Sequence, residues 1–299
     1  MAKSLQEVLS SDSRIYASID IGSNSMLLLI AQLSKGRLVP LHESIMDLKT
    51  AENLLKDKGI SEAKVEKIFE TLKFFQVKIE KYKAQLISVL GTEVFRKAPN
   101  GLELMRQIGV EMKVKGSLLK GEEEARYSYL ALSHQLNQKH LAVADIGAGS
   151  TEISFPKHCL SYKVGALMLL EWGRTPEDYL RVCEESFRDL EPLSAEADLV
   201  GVGGTCTTLV MMHYGMEEYQ SEAINGKVIE RGQVENWIER LSHRKAEEKS
   251  LVGLPKNREK MILPGLCILL TILKKMKIKK MSVSTWSIRH GSILDAMNY

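Results

Sequence analysis

The sequence predicts an α/β fold written twice, and three observations predict it. One short pattern occurs at two places, Ile19-Asp20-Ile21-Gly22-Ser23-Asn24-Ser25 and Ala144-Asp145-Ile146-Gly147-Ala148-Gly149-Ser150-Thr151. Asp20 and Asp145 stand 125 residues apart, a domain-sized interval in a chain of 299 residues. Each copy also opens a run of closely connected strands that gives way to helical periodicity.

In chain order, residues 15–20, 26–32 and 37–45 are expected strands, joined tightly at Gly22-Ser23-Asn24 and Lys35-Gly36. The continuous apolar run Met26-Leu27-Leu28-Leu29-Ile30 suits a strand covered on both faces. Val65, Ile68, Phe69, Leu72, Phe75, Ile79 and Tyr82 recur at helical spacing, with Ser61 as the expected N-cap. Residues 85–90 form the next strand, which Gly91-Thr92 closes; Thr92 is expected to cap a short helix carrying Arg96. Residues 101–107 read as a helix, and another opens at Gly121 and runs to about His134.

The second copy repeats the opening with strands at 140–145 and 151–155. A helix near 167–172 follows, then a strand at 198–202 that Gly201-Val202-Gly203-Gly204-Thr205 turns into a helix. Residues 234–241 and 259–276 are expected helices, 280–284 the last strand and 288–297 the last helix. No low-complexity linker separates the halves. The expected division is 1–126 and 127–299, with the last helix able to pack back on the N-terminal domain.

Composition narrows the function classes. At 44% hydrophobic and 26% charged, the chain reads as a folded globular protein and not a disordered one. A net charge of +3 neither demands nor excludes a polyanion, so anion binding has to come from local patches. Residues 1–14 are polar and lack a signal-peptide core, and the apolar stretch 262–273 is interrupted by Pro264 and Gly265. It falls short of the roughly 20 residues a bilayer crossing needs. The expectation is a cytoplasmic protein with no membrane partner and no DNA partner. Cys159, Cys183, Cys206 and Cys267 show no C-x-x-C spacing and read as reduced packing residues. Lys274, Lys275, Lys277, Lys279 and Lys280 read first as a solvated helix end, with a polyphosphate track as the alternative.

A strand that ends on Asp and turns at Gly into a second strand suits phosphate and metal. The carboxylate can hold a cation or its water, and glycine lets backbone N–H groups approach phosphate oxygens. Gly121-Glu122-Glu123-Glu124-Ala125-Arg126 places three glutamates in the first turn of a helix, where the dipole favours negative charge. That bland reading suits Glu122 best.

Five signatures occur in order: the two Asp-Ile-Gly turns, Gly91-Thr92-Glu93-Val94-Phe95-Arg96-Lys97-Ala98, Gly121-Glu122-Glu123-Glu124-Ala125-Arg126, and Gly201-Val202-Gly203-Gly204-Thr205. Together they resemble the exopolyphosphatase / guanosine pentaphosphate phosphohydrolase family of the actin-like ATPase superfamily. The stretches Arg258…Leu263-Pro264-Gly265 and Val283-Ser284-Thr285…Arg289-His290-Gly291 match more weakly. The resemblance implies two ribonuclease-H-like domains with an active site in the cleft between them. It implies magnesium (or another divalent cation) and removal of a terminal phosphate from polyphosphate, or of the 5′ γ-phosphate from pppGpp to leave ppGpp. A homodimer is the expectation it carries for assembly.

Carried over residue by residue, Glu124 matches the family's catalytic glutamate, and Asp145 and Glu152 its metal-binding acids; the chemistry of the first turn adds Asp20 as a third candidate for the cation. Gly22, Ser23, Asn24, Gly147, Ala148, Gly149, Ser150 and Thr151 fall in the two phosphate loops, Arg96 at the phosphate-contacting arginine, and Gly203, Gly204 and Thr205 at the third turn. The chemistry agrees with the roles: phosphoanhydride hydrolysis rests on positioning and charge neutralisation, not on a covalent nucleophile. Ala148 stands where the family usually has a middle glycine, and Thr285 and His290 stand where acids are common. Longer members carry an added helical module, and the expectation here is a chain without it. Two rivals stay open on these residues: an ATP-dependent kinase of the same superfamily, and a (p)ppGpp or polyphosphate sensor without turnover.

Overall fold

The doubled pattern becomes two sheets. In a computed structural model of the chain, residues 14–52, 54, 59–194, 197–244 and 251–299 are described. The polar segment read at 1–14 lies, apart from Arg14, outside the described residues. Two compact units form, Met1–Leu119 with Arg289–Tyr299, and Lys120–Ile288.

The first unit opens with β1 (Arg14–Ile21), β2 (Ser25–Ser34) and β3 (Arg37–Asp47), an antiparallel meander. Then come α1 (Glu62–Lys81), β4 (Gln85–Gly91), α2 (Glu93–Lys97), α3 (Gly101–Glu111) and β5 (Gly116–Leu118). The sheet order is β3-β2-β1-β4-β5, with β4 parallel to β1 and β5 parallel to β4. β2 lies inside the sheet and is buried over most of its length, as its unbroken apolar run requires. On α1 the residues at helical spacing bury Ile68, Leu72, Phe75 and Ile79. Each such side chain contributes about 1.5–3 kcal/mol by leaving water.

Ser61 and Thr92 stand at the N-cap positions of α1 and α2, yet neither side chain caps its helix. Thr92 Oγ1 donates instead to the Ile21 carbonyl at 3.4 Å, tying the end of β4 to the end of β1. Residues 289–299 belong to this unit through buried polar contacts. Arg289 is 2% exposed, pairs with Glu43 at 3.3 Å and donates to the Leu28 carbonyl at 3.2 Å. The Ser292 hydroxyl lies 2.8 Å from that of Ser18 and 3.1 Å from that of Ser88.

The second unit starts with α4 (Gly121–Leu136), so the expected division at residue 126 falls inside a helix that belongs wholly to this unit. β6 (Leu141–Ile146), β7 (Thr151–Ser154) and β8 (Cys159–Tyr162) repeat the antiparallel meander. α5 (Ala166–Trp172), α6 (Pro176–Ser186), β9 (Asp198–Val202), α7 (Gly203–Tyr214), α8 (Ser221–Ile224), β10 (Val228–Glu230), α9 (Arg231–Ser242), α10 (Glu259–Lys275) and β11 (Lys280–Val283) follow, and α11 (Ile288–Ala296) ends the chain. The sheet order is β10-β11-β9-β6-β7-β8, with β9 parallel to β6 and to β11.

α10 packs its apolar length into this unit's core, from Met261 to Leu273. The side chains of Thr205 and α10 meet because residue 265 is glycine: a Cβ there would stand 2.5 Å from Thr205 Oγ1. Lys274 and Lys275, in the last turn of α10, face Glu235 at 3.7 Å and Glu184 at 3.0 Å. All four cysteines are free thiols, with Cys183, Cys206 and Cys267 buried. Among the described residues no helix is long and apolar enough to cross a membrane.

Candidate functional site

The two repeated turns share one backbone design. Gly22 N–H donates to the Ser25 carbonyl at 2.9 Å, and Gly147 N–H donates to the Ser150 carbonyl at 3.0 Å. In each turn the carbonyls face the segment that follows the third strand of the meander. Ser23 O accepts from Ala51 N, and Asn24 O from Leu48 N and Lys49 N, all at 2.8–2.9 Å. Gly147 O accepts from Ala166 N at 3.0 Å and Ala148 O from Leu167 N at 2.9 Å, which ties the second turn to the start of α5. In a trans peptide the N–H points opposite to its C=O. Tying the carbonyls back therefore turns the amides of Asn24, Ala148 and Gly149 outward. None of those three amides donates in a backbone–backbone hydrogen bond among the described residues. Outward amides at a tight turn are a ready cradle for an anion. Ala148 adopts no left-handed backbone, so alanine serves there as well as glycine.

The acids gather in the second unit. Asp145 and Glu152 face each other across β6 and β7 as a register pair. The first turn of α4 separates its three glutamates by role. Glu122 and Glu123 are exposed, and the Glu123 carboxylate accepts from Lys120 N–H at 2.8 Å, while Glu124 is turned inward and buried. Ser128, one helical turn after Glu124, donates its hydroxyl to Asp145 Oδ2 at 3.3 Å. Ser161 on β8 donates to Glu152 Oε1 at 3.0 Å.

Burial and mutual repulsion mark this cluster. Asp145 is pushed up to about 6, chiefly by burial, with the Ser128 hydrogen bond acting the other way. Glu152 is held well above the usual carboxylate range by burial first, then by the charges of Glu124 and Asp145; hydrogen bonds from Ser150 and Ser161 oppose the rise. Thr151, next to the second turn, is fully buried and its hydroxyl donates to the Val164 carbonyl at 2.7 Å. It braces the turn from behind.

The third turn joins the same place. Gly203 takes φ +84°, which only glycine adopts cheaply, and a Cβ there would stand 2.7 Å from Asp145 Oδ1. Gly204, Thr205, Gly147, Ala148 and Ile146 line one small cavity with Ala166, Met261, Ile262 and Arg258. The Arg258 guanidinium lies against Gly204, whose missing side chain leaves it room. The structure thus brings together Glu124, Asp145, Glu152, the turn 147–150 and residues 203–205.

Asp20, Gly22, Ser23, Asn24 and Arg96 belong to the first unit. Asp20 is the penultimate residue of β1, just before its own turn. Arg96 is committed to protein partners: its Nε donates to Glu93 Oε2 at 3.0 Å, its Nη2 to the same oxygen at 2.5 Å, and its Nη1 to the Leu119 carbonyl. Lys97 joins the same carboxylate at 3.0 Å. Sequence reasoning did not single out Ser128, Ser161, Glu93 or the placement of Arg258. Ser128 carried a signal, since it lies four residues after Glu124 on one helix face.

Carboxylates are hard oxygen donors of the kind that suits a divalent cation. Among the described residues, no group of three or more His, Cys, Asp or Glu side chains is placed to hold a metal ion. One or two carboxylates, with the remaining positions left to water and phosphate oxygens, is the pattern magnesium takes. The paired Asp145 and Glu152 supply two carboxylates of that kind.

Comparison with known proteins adds a lineage. The sequence profile of the Ppx/GppA phosphatase family matches residues 29–299. A guanosine-5′-triphosphate,3′-diphosphate pyrophosphatase of Photobacterium profundum is 24% identical over 302 residues, covering 96% of this chain. The chain spans 60% of that relative's own length. The crystal structure of the Aquifex aeolicus member of the Ppx/GppA family superposes with a TM-score of 0.83 at 27% identity, over 96% of this chain and 98% of that one. An exopolyphosphatase of Cytophaga hutchinsonii shares the fold at a TM-score of 0.82 and 20% identity, over 95% and 98% of the two chains.

Proposed function

Because the chain belongs to the Ppx/GppA phosphatase family, we propose that it is a magnesium-dependent phosphoanhydride hydrolase. On this reading it releases terminal orthophosphate from inorganic polyphosphate, or the 5′ γ-phosphate of pppGpp. The observation that carries the reading is the buried pair Glu124 and Glu152, grouped with half-buried Asp145 beside a turn whose amides point outward. A dipole-capping or solvent-facing acid has no reason to be buried at such electrostatic cost.

Each residue then has a task. Glu124 orients the attacking water and takes its proton as the new P–O bond forms. The anhydride P–O bond breaks on the far side of the terminal phosphorus, and its electron pair leaves with the shortened polyphosphate or nucleotide. The amides of Ala148 and Gly149 hold non-bridging oxygens. The turn at Gly22-Ser23-Asn24 offers the same kind of cradle in the first unit. Asp145 and Glu152 would hold magnesium, which supplies charge neutralisation at the phosphates. Arg96 reaches phosphate only by exchanging part of its present contact with Glu93.

The test is a parallel phosphate-release assay on long polyphosphate, short polyphosphate and pppGpp, with magnesium and with EDTA. Release from at least one substrate that EDTA abolishes is the expected result. ATP-dependent phosphorylation of a small acceptor, or tight binding of pppGpp with no phosphate released over hours, would replace the reading with one of its rivals.

A further inference from the structure

Ser161 sits where no simple strand residue needs to be. It lies on β8 directly opposite Glu152 of β7, and its hydroxyl donates to Glu152 Oε1 at 3.0 Å. The first turn of α4 closes over this pair. A Cβ on Gly121 would stand 1.9 Å from Ser161 Oγ and 3.5 Å from Glu152 Oε1. Gly121 is the first residue of the helix that carries Glu124, and its backbone has no left-handed twist that would call for glycine. Glycine is required there by the space that the Ser161 hydroxyl occupies.

We propose that Ser161 is a positioning residue: through its hydrogen bond it fixes the Glu152 carboxylate in the orientation that receives the divalent cation, and Gly121 is the gap that admits the hydroxyl. The inference rests on the hydrolase reading for the identity of the cation, and its geometry stands within the second unit alone. Glu152 has a second hydrogen bond, from Ser150. That partner is on the same strand–turn segment and moves with it. Ser161 comes from the neighbouring strand and anchors the carboxylate against β8 and α4 together. Hydrogen bonds that orient metal-binding carboxylates are typically worth 10- to 100-fold in metal affinity or activity.

The test measures metal binding directly, by calorimetric titration of the full chain with Mg²⁺ and with Mn²⁺, beside phosphate release as a function of metal concentration. Ser161→Ala should weaken metal binding by ~10- to 100-fold. It should raise the metal concentration for half-maximal rate by the same factor, and excess metal should recover most of the lost turnover. Ser161→Thr, which keeps the hydroxyl, should bind metal within about threefold of the parent and so separate positioning from general damage. Gly121→Ala should weaken metal binding like Ser161→Ala, although alanine is the better helix residue. Circular dichroism and melting temperature establish that each variant is folded.

Three results would overturn the proposal: unchanged metal affinity in Ser161→Ala, no recovery in Ser161→Thr, or a parent protein that binds neither cation. The hydrolase reading fails separately. It falls if the parent protein binds metal but releases no phosphate, and it survives if phosphate release is normal while Ser161→Ala matches the parent.

Discussion

Asp145→Asn should make the metal-free protein more stable at alkaline pH while removing its function. The Asp145 carboxyl rises from 3.8 to about 6 on folding, so the folded protein holds that proton more tightly than the unfolded chain. The sign follows from linkage. A raised pKa contributes stability that is complete below about pH 4 and is lost as pH climbs through 6. Each pH unit is worth about 1.4 kcal/mol, so the ionised Asp145 burdens the folded state by up to about 3 kcal/mol at pH 8. Asparagine has nearly the same shape and no charge, and it keeps an oxygen to accept from Ser128.

The assay is urea unfolding followed by tryptophan fluorescence in EDTA. Trp172, Trp237 and Trp286 all lie in the unit that holds Asp145, so the signal reports on the right part of the chain. At pH 8, Asp145→Asn should exceed the parent by as much as about 3 kcal/mol, and the gap should fall to about half by pH 5 and close below pH 4. Saturating magnesium should stabilise the parent at pH 8 and leave the variant unchanged. An equal gain at pH 5 and pH 8 would show that packing, not charge, is responsible. A variant no more stable than the parent at pH 8 would refute the reasoning outright.

Other outcomes follow from the same geometry. Gly203→Ala should destabilise the protein by at least about 1–2 kcal/mol for its left-handed backbone, and should also impair phosphate release because the new methyl displaces Asp145; urea unfolding and the release assay read both. Arg289→Ala strips a buried guanidinium from Glu43 and should cost about 3–5 kcal/mol, seen as a lowered melting temperature. Leu72→Ala, in the core of the first unit, should cost about 2–5 kcal/mol and leave kcat unchanged at a temperature where the variant is folded.

The strand–turn–strand repeats were legible because their information is local. Asp-Ile-Gly between apolar runs sets both the strand ends and the turn, and β1, β2, β6 and β7 follow the expected positions closely. The helical stripe Ile68-Leu72-Phe75-Ile79 is equally local and gives α1 its buried face. β5 and β10 escape such reading because three residues are too few to show a period. Ser161 escaped as well, since its value lies in the cross-strand partner and not in its neighbours. α6 carried a signal that went unused: Thr175 precedes Pro176, and its side chain accepts from Asp178 N–H as a true N-cap.

Caps and partners set by distant residues were harder. Thr92 has the right chemistry for a cap, yet its hydroxyl goes to Ile21, 71 residues away in sequence. Arg96 could be recognised as a cation in a motif. That Glu93, three residues earlier, holds its guanidinium depends on side-chain conformation that no spacing rule prescribes. The inward turn of Glu124 against the outward turn of Glu122 and Glu123 follows from where α4 docks on β7 and β8, a tertiary fact.

The most direct measurement of the central claim is phosphate release by Glu124→Gln beside the parent protein, with magnesium present and substrate binding measured in parallel. The account predicts that kcat falls by ~10²- to 10⁴-fold, the range for losing a positioned general base, while substrate binds within a few-fold of the parent. A folded Glu124→Gln protein that turns over substrate at the parent rate would contradict it.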